Sequence, residues 1–368
     1  MKPIKAGILL AMIMFSVALP ARSSETPPEM TVQVLASGLA NPWDLAVLPD
    51  GSLVFTQRSG SVSRISNGRV TQLARIPDVE PRGEGGLMGI AVDTAFDEHP
   101  YLYFAYNTIR SGSPEVVVTR YVYSEGKMTD PMDIITGLPA IPGGRHSGTQ
   151  LEMDETGVLW VGTGDAATGQ NPQDPKSLGG KILRVQRDGA PAEGNLKAPF
   201  DPRIFSFGHR NVQGLALLPA PEDGVYGYSA EHGSYREDEL NALVAGNFGW
   251  SPHPAYDESV PMTDLVRFPD AISAAWHSGE RTIAISGVAQ LRGAQWGVLD
   301  GAWAMGVLKD RHVRAVQLEN GLVTGEWLLL EGEYGRIRAS VSGPDGALYL
   351  TTDNGSNDKV LKVTPTAP

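Results

Sequence analysis

The sequence predicts an all-β protein, specifically a six-bladed β-propeller of four-stranded antiparallel blades. Three observations predict it: short β-branched runs broken by turn residues, a unit that recurs six times, and little sustained helical periodicity. The 43 glycines and 27 prolines supply the punctuation that many tight turns require.

The unit is clearest in three places. LAVLPDGSLVFTQ is followed by GSVSRIS, LEMDETGVLWVGTGD by GGKILRVQ, and VSGPDGALYLTTD by DKVLKVTP. Each reads as an apolar strand, a turn, a second strand, a polar loop and a third strand. The Asp50-Gly51 and Asp345-Gly346 pairs suit hairpins, because glycine accepts the positive φ of a tight turn. Three weaker copies lie between: GLMGIAVDTAF with YLYFAYN, QGLALLPAPEDGVYGYSAE, and SGVAQLRGAQWGVLDGAWAMG with HVRAVQLEN. A spacing of roughly 45–70 residues exceeds a WD40-type repeat and suits blades with long insertions. A β-sandwich or a β-helix is the competing arrangement. In a propeller the inner strands start around one axis, so a site assembled from several blades is expected at that mouth.

The chain divides into residues 1–21, a secretory signal, 22–30, a polar tether, and 31–368, a single propeller domain. Lys2 and Lys5 precede an apolar run from Ile8 to Leu19, and Pro20-Ala21 offers a cleavage site. The run is too short to span a bilayer comfortably, and a retained anchor is the alternative. There is no cysteine, hence no disulfide and no lipobox. These features lead us to expect a periplasmic protein without a membrane anchor. Net charge is −12, and removing the two lysines of residues 1–21 gives −14, which disfavours nucleic acid as a partner.

Against that acidity, a few cations stand at blade entrances. Arg210 and Asn211 in SFGHRNVQG precede the fourth inner strand. Lys309 lies in AMGVLKDRH, and Arg336 and Arg338 in YGRIRASV precede the sixth. Alternation puts both of these arginines on one side of an extended chain. Four cations around one mouth call for an anionic ligand, and guanidinium forks favour carboxylate or phosphate. His146 in GGRHSGTQLEMD, just before the third inner strand, is a candidate general base. AEHGSYREDELN gathers Glu231, Glu237, Asp238 and Glu239, hard oxygen donors of the kind calcium takes. Taken singly, each of these reads as an ordinary structural or surface residue; their shared place in the repeat is the argument. No Gly-rich nucleotide fingerprint stands at a strand-helix junction.

The motifs NPWDLAVLPDG, EGGLMGIA, RHSGTQL, GHRNVQG, EHGSYREDE, NFGW and GRIRASVSGPDGALYLTTD occur in this order between about Val34 and Val363. In them the chain resembles the family of soluble glucose, aldose sugar and sorbosone dehydrogenases that use pyrroloquinoline quinone (PQQ). The resemblance implies oxidation of an aldose at C1 to the lactone, with PQQ and calcium as cofactors and an external electron acceptor, in a monomer or homodimer. It implies that His146 takes the C1 hydroxyl proton while hydride passes to the quinone. Arg210 and Asn211 would contact the reactive carbonyl, and Lys309, Arg336 and Arg338 would surround the PQQ carboxylates. Gly233 and Ser234 would offer backbone carbonyls to the PQQ-bound calcium. Glu239, with the Phe248 backbone, would hold a structural calcium. Asp165 and Gln170 match a polar loop at the same mouth. Some residues depart from the family pattern. Glu84 stands where glutamine is usual, with Arg145 as its expected partner, and His232 and Ser234 replace glutamine and proline. A calcium-dependent propeller lactonase and a non-catalytic sugar-binding propeller are the alternative readings.

Overall fold

The computed structural model describes residues 26–366, so the expected signal segment and the first four residues of the tether lie outside the described residues. Six antiparallel sheets surround one axis, as the repeats require. The inner strands, blade by blade, are Pro42–Val47, Leu87–Val92, Thr149–Met153, Val212–Glu222, Ile285–Gln290 and Ile337–Ser342. Leu87–Val92 lies inside its repeat, and the other five begin one to four residues before the repeat read from the sequence and run into it. The Asp-Gly hairpins form as expected, with Gly51 at φ +78° and Gly346 at φ +75°.

The sixth blade closes the ring. Its outer strand is Met30–Leu39 from the start of the chain, antiparallel to Asp358–Pro365 from the end. The first strand therefore begins one residue before the expected domain start, and Thr366 N–H also donates to the Glu29 carbonyl at 2.7 Å. Blade three departs from four strands, since Gly246–Asn247 adds a short parallel fifth strand beside Ile204–Phe207. The outer strand of blade four is reduced to Trp276–His277. Between it and the third strand runs the long insertion that reaches the axial mouth.

Each blade buries both faces, which explains strands that read as continuous apolar runs. Six apolar clusters fill the six gaps between neighbours. Met88, Tyr103 and Val118 of blade two meet Leu151, Val161 and Leu183 of blade three. Leu45 and Phe55 of blade one meet Tyr349 and Val360 of blade six, closing the circle. Close to the axis the inner strands approach backbone to backbone. A Cβ on Gly89 would lie 2.6 Å from the Thr149 carbonyl oxygen, and one on Gly287 would lie 2.5 Å from the Ser340 nitrogen. Glycine is required there for close approach rather than for its φ.

Where the inner strands end, the axis opens into a cavity of about 770 Å³ lined by all six of them. Asp44, Gln150 and Glu152 face it. Burial pushes the Asp44 carboxyl up to about 7. Burial and the charge of Asp44 push Glu152 to about 8.

Candidate active site at the axial mouth

At the opposite mouth, inner strands begin and second strands end. Antiparallel order thus brings together the residues preceding one and following the other. His146 and Arg210 come from the first kind of position, and Asp165 and His232 from the second.

His146 is buried, and its Nδ1 lies 2.8 Å from Asp165 Oδ1. Asp165 also accepts from Trp250 Nε1 at 2.8 Å and from the Ala167 backbone at 2.8 Å. The Tyr256 hydroxyl is 2.6 Å from His146 Nδ1 and 2.8 Å from Asp165 Oδ2. Every side-chain contact of the imidazole falls on Nδ1; among the described residues Nε2 has no hydrogen-bond partner. Such a ring can take a proton at Nε2 while a carboxylate steadies the resulting cation. His146, Ala166, Ala167 and Tyr256 all have left-handed backbones, at φ +52°, +54°, +48° and +55°. Non-glycine residues held this way persist only where surrounding contacts over-determine them.

Glu84 joins this cluster to the rest of the mouth. Its carboxylate accepts from the His146 backbone at 3.0 Å, Asn211 Nδ2 at 2.9 Å and Gln213 Nε2 at 3.4 Å. Burial alone would raise its pKa. The attraction of His146 and then His232, with the two closer hydrogen bonds, outweighs burial and holds it below the usual range. The expected Glu84–Arg145 pair does not form. Arg145 pairs instead with Glu258 at 2.6 Å, and Glu258 also pairs with Arg210 at 2.5 Å. Backbone and side-chain amides already satisfy Glu84, so it needs no cation.

From Gln213 the network continues. Gln213 Oε1 accepts from buried Arg338 at 2.6 Å, and Arg338 lies 3.4 Å from Asp353. Asp353 is 3.7 Å from Arg336 and accepts from Asn41 at 2.7 Å. Arg336 Nη1 reaches the Leu308 carbonyl at 3.5 Å, beside Lys309. One chain of contacts thus runs through residues of all six blades and their loops. The expected alternation holds, since Arg336 and Arg338 share Asp353. Lys309 is exposed and has no ion-pair partner among the described residues. Gln170 is likewise exposed, while Asp165, from the same loop, is fully buried.

The acidic run is mostly scaffold. Glu231 accepts from the Arg210 backbone and lies 3.0 Å from His209 Nδ1. Asp238 accepts from Gly233 N at 2.8 Å, Thr282 Oγ1 at 2.8 Å, Ile283 N at 2.6 Å and Ala284 N at 2.8 Å, pinning the turn to blade five. Glu239 is different. Burial, then repulsion from Glu231, pushes its carboxyl far above the usual range. Asn241 Nδ2 contacts both carboxylates while its buried Oδ1 has no partner. A hard cation would relieve this repulsion, although among the described residues no group of three His, Cys, Asp or Glu side chains is gathered to hold one.

Buried donors at the mouth are also left over. Arg210 Nε, Arg338 Nε, Ser234 Oγ and His232 Nε2 have no partner, and neither the Gly233 nor the Ser234 carbonyl accepts a hydrogen bond among the described residues. Burial, reinforced by Arg338 and Arg210 against the pull of Asp238 and Glu84, lowers His232 to about 4 and keeps it neutral. Unmet donors beside free carbonyls fit an anionic ligand bridged by a cation. Sequence reasoning missed Tyr256 and Glu258, which sit in the insertion outside the repeat. Gln213 and Asp353 lie within the GHRNVQG and GRIRASVSGPDGALYLTTD motifs, where nothing in the local pattern marks them.

Fold and mouth together define a six-bladed propeller enzyme with a polar site on its axis. The family model for glucose/sorbosone dehydrogenase matches residues 39–362. Aldose sugar dehydrogenase YliI of Escherichia coli is 28% identical, over 92% of this chain and 94% of its own. Quinoprotein glucose dehydrogenase B of Acinetobacter calcoaceticus is 27% identical over 61% of this chain and 53% of its own. The PQQ-bound aldose sugar dehydrogenase of Streptomyces coelicolor superposes with a TM-score of 0.75 at 31% identity, covering 92% of this chain and 99% of that one. The chain belongs to the glucose/sorbosone dehydrogenase family, and with it to the quinoprotein sugar oxidoreductases.

Proposed function

We propose that the protein oxidises aldose sugars at C1 to the lactone, with PQQ and calcium in the axial mouth. The observation that carries this is the Asp165–His146 pair, whose Nε2 has no hydrogen-bond partner among the described residues, at a mouth that also leaves buried Arg210 and Arg338 donors unpaired. His146 Nε2 takes the C1 hydroxyl proton, and Asp165 stabilises the imidazolium through Nδ1. Bound PQQ supplies the acceptor for the hydride that leaves C1. Arg210 and Asn211 would contact its reactive carbonyl, with His232 and Glu84 near it. Arg336, Arg338 and Lys309 would hold its carboxylates, which suits fork-shaped and point cations. The Gly233 and Ser234 carbonyls would hold a calcium at the cofactor, and Glu239 with the Phe248 carbonyl would hold a structural one.

Export to the periplasm by residues 1–21 belongs to this reading, as does electron delivery to an external acceptor. Among the described residues no helix is long and apolar enough to cross a membrane. The test is reconstitution of purified apo-protein with PQQ and calcium, followed by assay of dye reduction with an aldose panel. Turnover that needs PQQ, calcium and sugar together is the expected result. A PQQ-loaded protein that leaves every aldose unoxidised would refute the reading.

A further inference from the structure

The insertion between the third and fourth strands of blade four brings Tyr256 to the Asp165–His146 pair. Nothing in the repeat requires an aromatic residue there. The loop carrying it is tethered on both sides. Glu258 bridges Arg145 and Arg210, Arg236 donates to the Ser259 carbonyl at 3.2 Å, and Asp257 N–H donates to the Pro252 carbonyl at 2.8 Å. The Tyr256 ring packs against His146 at 5.8 Å between centroids, against Trp250 at 6.4 Å, and beneath the Arg145 guanidinium at 5.3 Å.

We propose that Tyr256 is a positioning residue: its hydroxyl proton, shared with Asp165 and His146 Nδ1, tempers the basicity of the histidine. The inference deepens the reading of His146 as the base and rests on it for its catalytic meaning. The phenol carries one proton and two acceptors lie within reach. With the Nδ1 proton on the ring directed at Asp165 Oδ1, the phenol donates to Asp165 Oδ2. With Nδ1 bare, the phenol donates to Nδ1. Burial and the neighbouring Asp165 charge push the hydroxyl well above its ordinary range, so it stays a donor in both arrangements.

The sign follows without choosing between them. Donation to Asp165 drains the charge that would stabilise an imidazolium. Donation to Nδ1 stabilises the neutral ring directly. In either case the hydroxyl holds His146 less basic than Asp165 alone would make it. The other charged groups facing this cluster are Glu84, against the His146 backbone, and Arg145, Arg210 and Glu258, around Tyr256. His232 acts on it through Glu84. None of them changes when the phenol oxygen is removed.

The experiment is Tyr256→Phe, with the His146 ring followed by NMR titration in the cofactor-free full chain. The midpoint is expected to rise by about half to one pH unit, the scale of one lost hydrogen bond to the neutral form. After reconstitution, the acid limb of kcat/KM rises in parallel while affinity for PQQ stays within about two-fold. An unchanged His146 midpoint overturns the proposal. Site-specific 3-fluorotyrosine at position 256, a stronger donor that keeps the ring, provides a second arm should Tyr256→Phe not fold. It is expected to lower the midpoint, and a rise overturns the proposal. A shifted midpoint in a protein that oxidises no sugar would remove the enzymatic reading and leave the hydrogen-bond assignment standing.

Discussion

Substitution at position 146 separates binding from chemistry. His146 contributes an unpaired Nε2 to the mouth, whereas the anion-holding side chains come from other blades. His146→Ala is therefore expected to keep PQQ affinity within a few-fold and to lose about 10²–10⁴ in kcat, the usual worth of a positioned base. Stopped-flow reduction of the bound quinone by sugar reads this directly, and near-normal turnover would exclude His146 as the base. The same neighbourhood explains how Glu84 is tolerated. A carboxylate here would ordinarily repel an anionic ligand, but three amide donors from the His146 backbone, Asn211 and Gln213 disperse its charge. Arg145 is freed to meet Glu258.

The inner strands carry a different constraint. Six of them converge on one axis, and their spacing leaves no room for side chains at the crossing points. On Gly287 a Cβ would strike backbone, the Ser340 nitrogen, which cannot swing aside as a flexible side chain could. Gly287→Ala is expected to cost about 1–3 kcal/mol of stability, the range for overpacking a close-packed interior. Urea unfolding of the cofactor-free chain measures it, and a midpoint equal to wild type would show that the strands can separate freely. The outer strands bear no such limit. Arg69–Arg75 is mostly exposed and polar, as an edge facing water should be.

Across the molecule the two ends of the axis are electrostatically unlike. One mouth gathers guanidinium groups, and the chamber at the other holds Asp44 and Glu152 with raised pKa values. Glu152 sits at about 8 in the fold and near its ordinary 4.5 when unfolded. Its folded pKa is the higher one, so the protonated form favours folding. That contribution is complete below about pH 4.5 and is lost as pH rises through 8. Glu152→Gln, which mimics the protonated acid, is expected to match wild type near pH 4.5 and exceed it by about 1–3 kcal/mol above pH 8. That figure is set below the full linkage value because Glu152 lines the cavity and is only half-buried. Thermal melts of both proteins across this range decide the matter, and parallel curves would show that Glu152 titrates normally.

The architecture was legible because it is written locally and repeatedly. Alternation, Asp-Gly turns and six copies of one unit specify strands and hairpins from neighbouring residues alone, and the family motifs lie on those strands and loops. His146, Arg210, Asn211, Arg336 and Arg338 could be placed at one mouth because the repeat frame itself encodes which strand end they occupy. What the sequence could not express is pairing across blades. That Arg145 meets Glu258 rather than Glu84, and that Tyr256 reaches a histidine 110 residues away, depends on where a non-repeating insertion settles. The ring likewise closes with its first strand beside its last, a contact between Thr31 and Thr366 spanning 335 residues. Local propensity acts over a few residues, whereas hydrogen bonds between buried polar groups are chosen by packing of the whole ring.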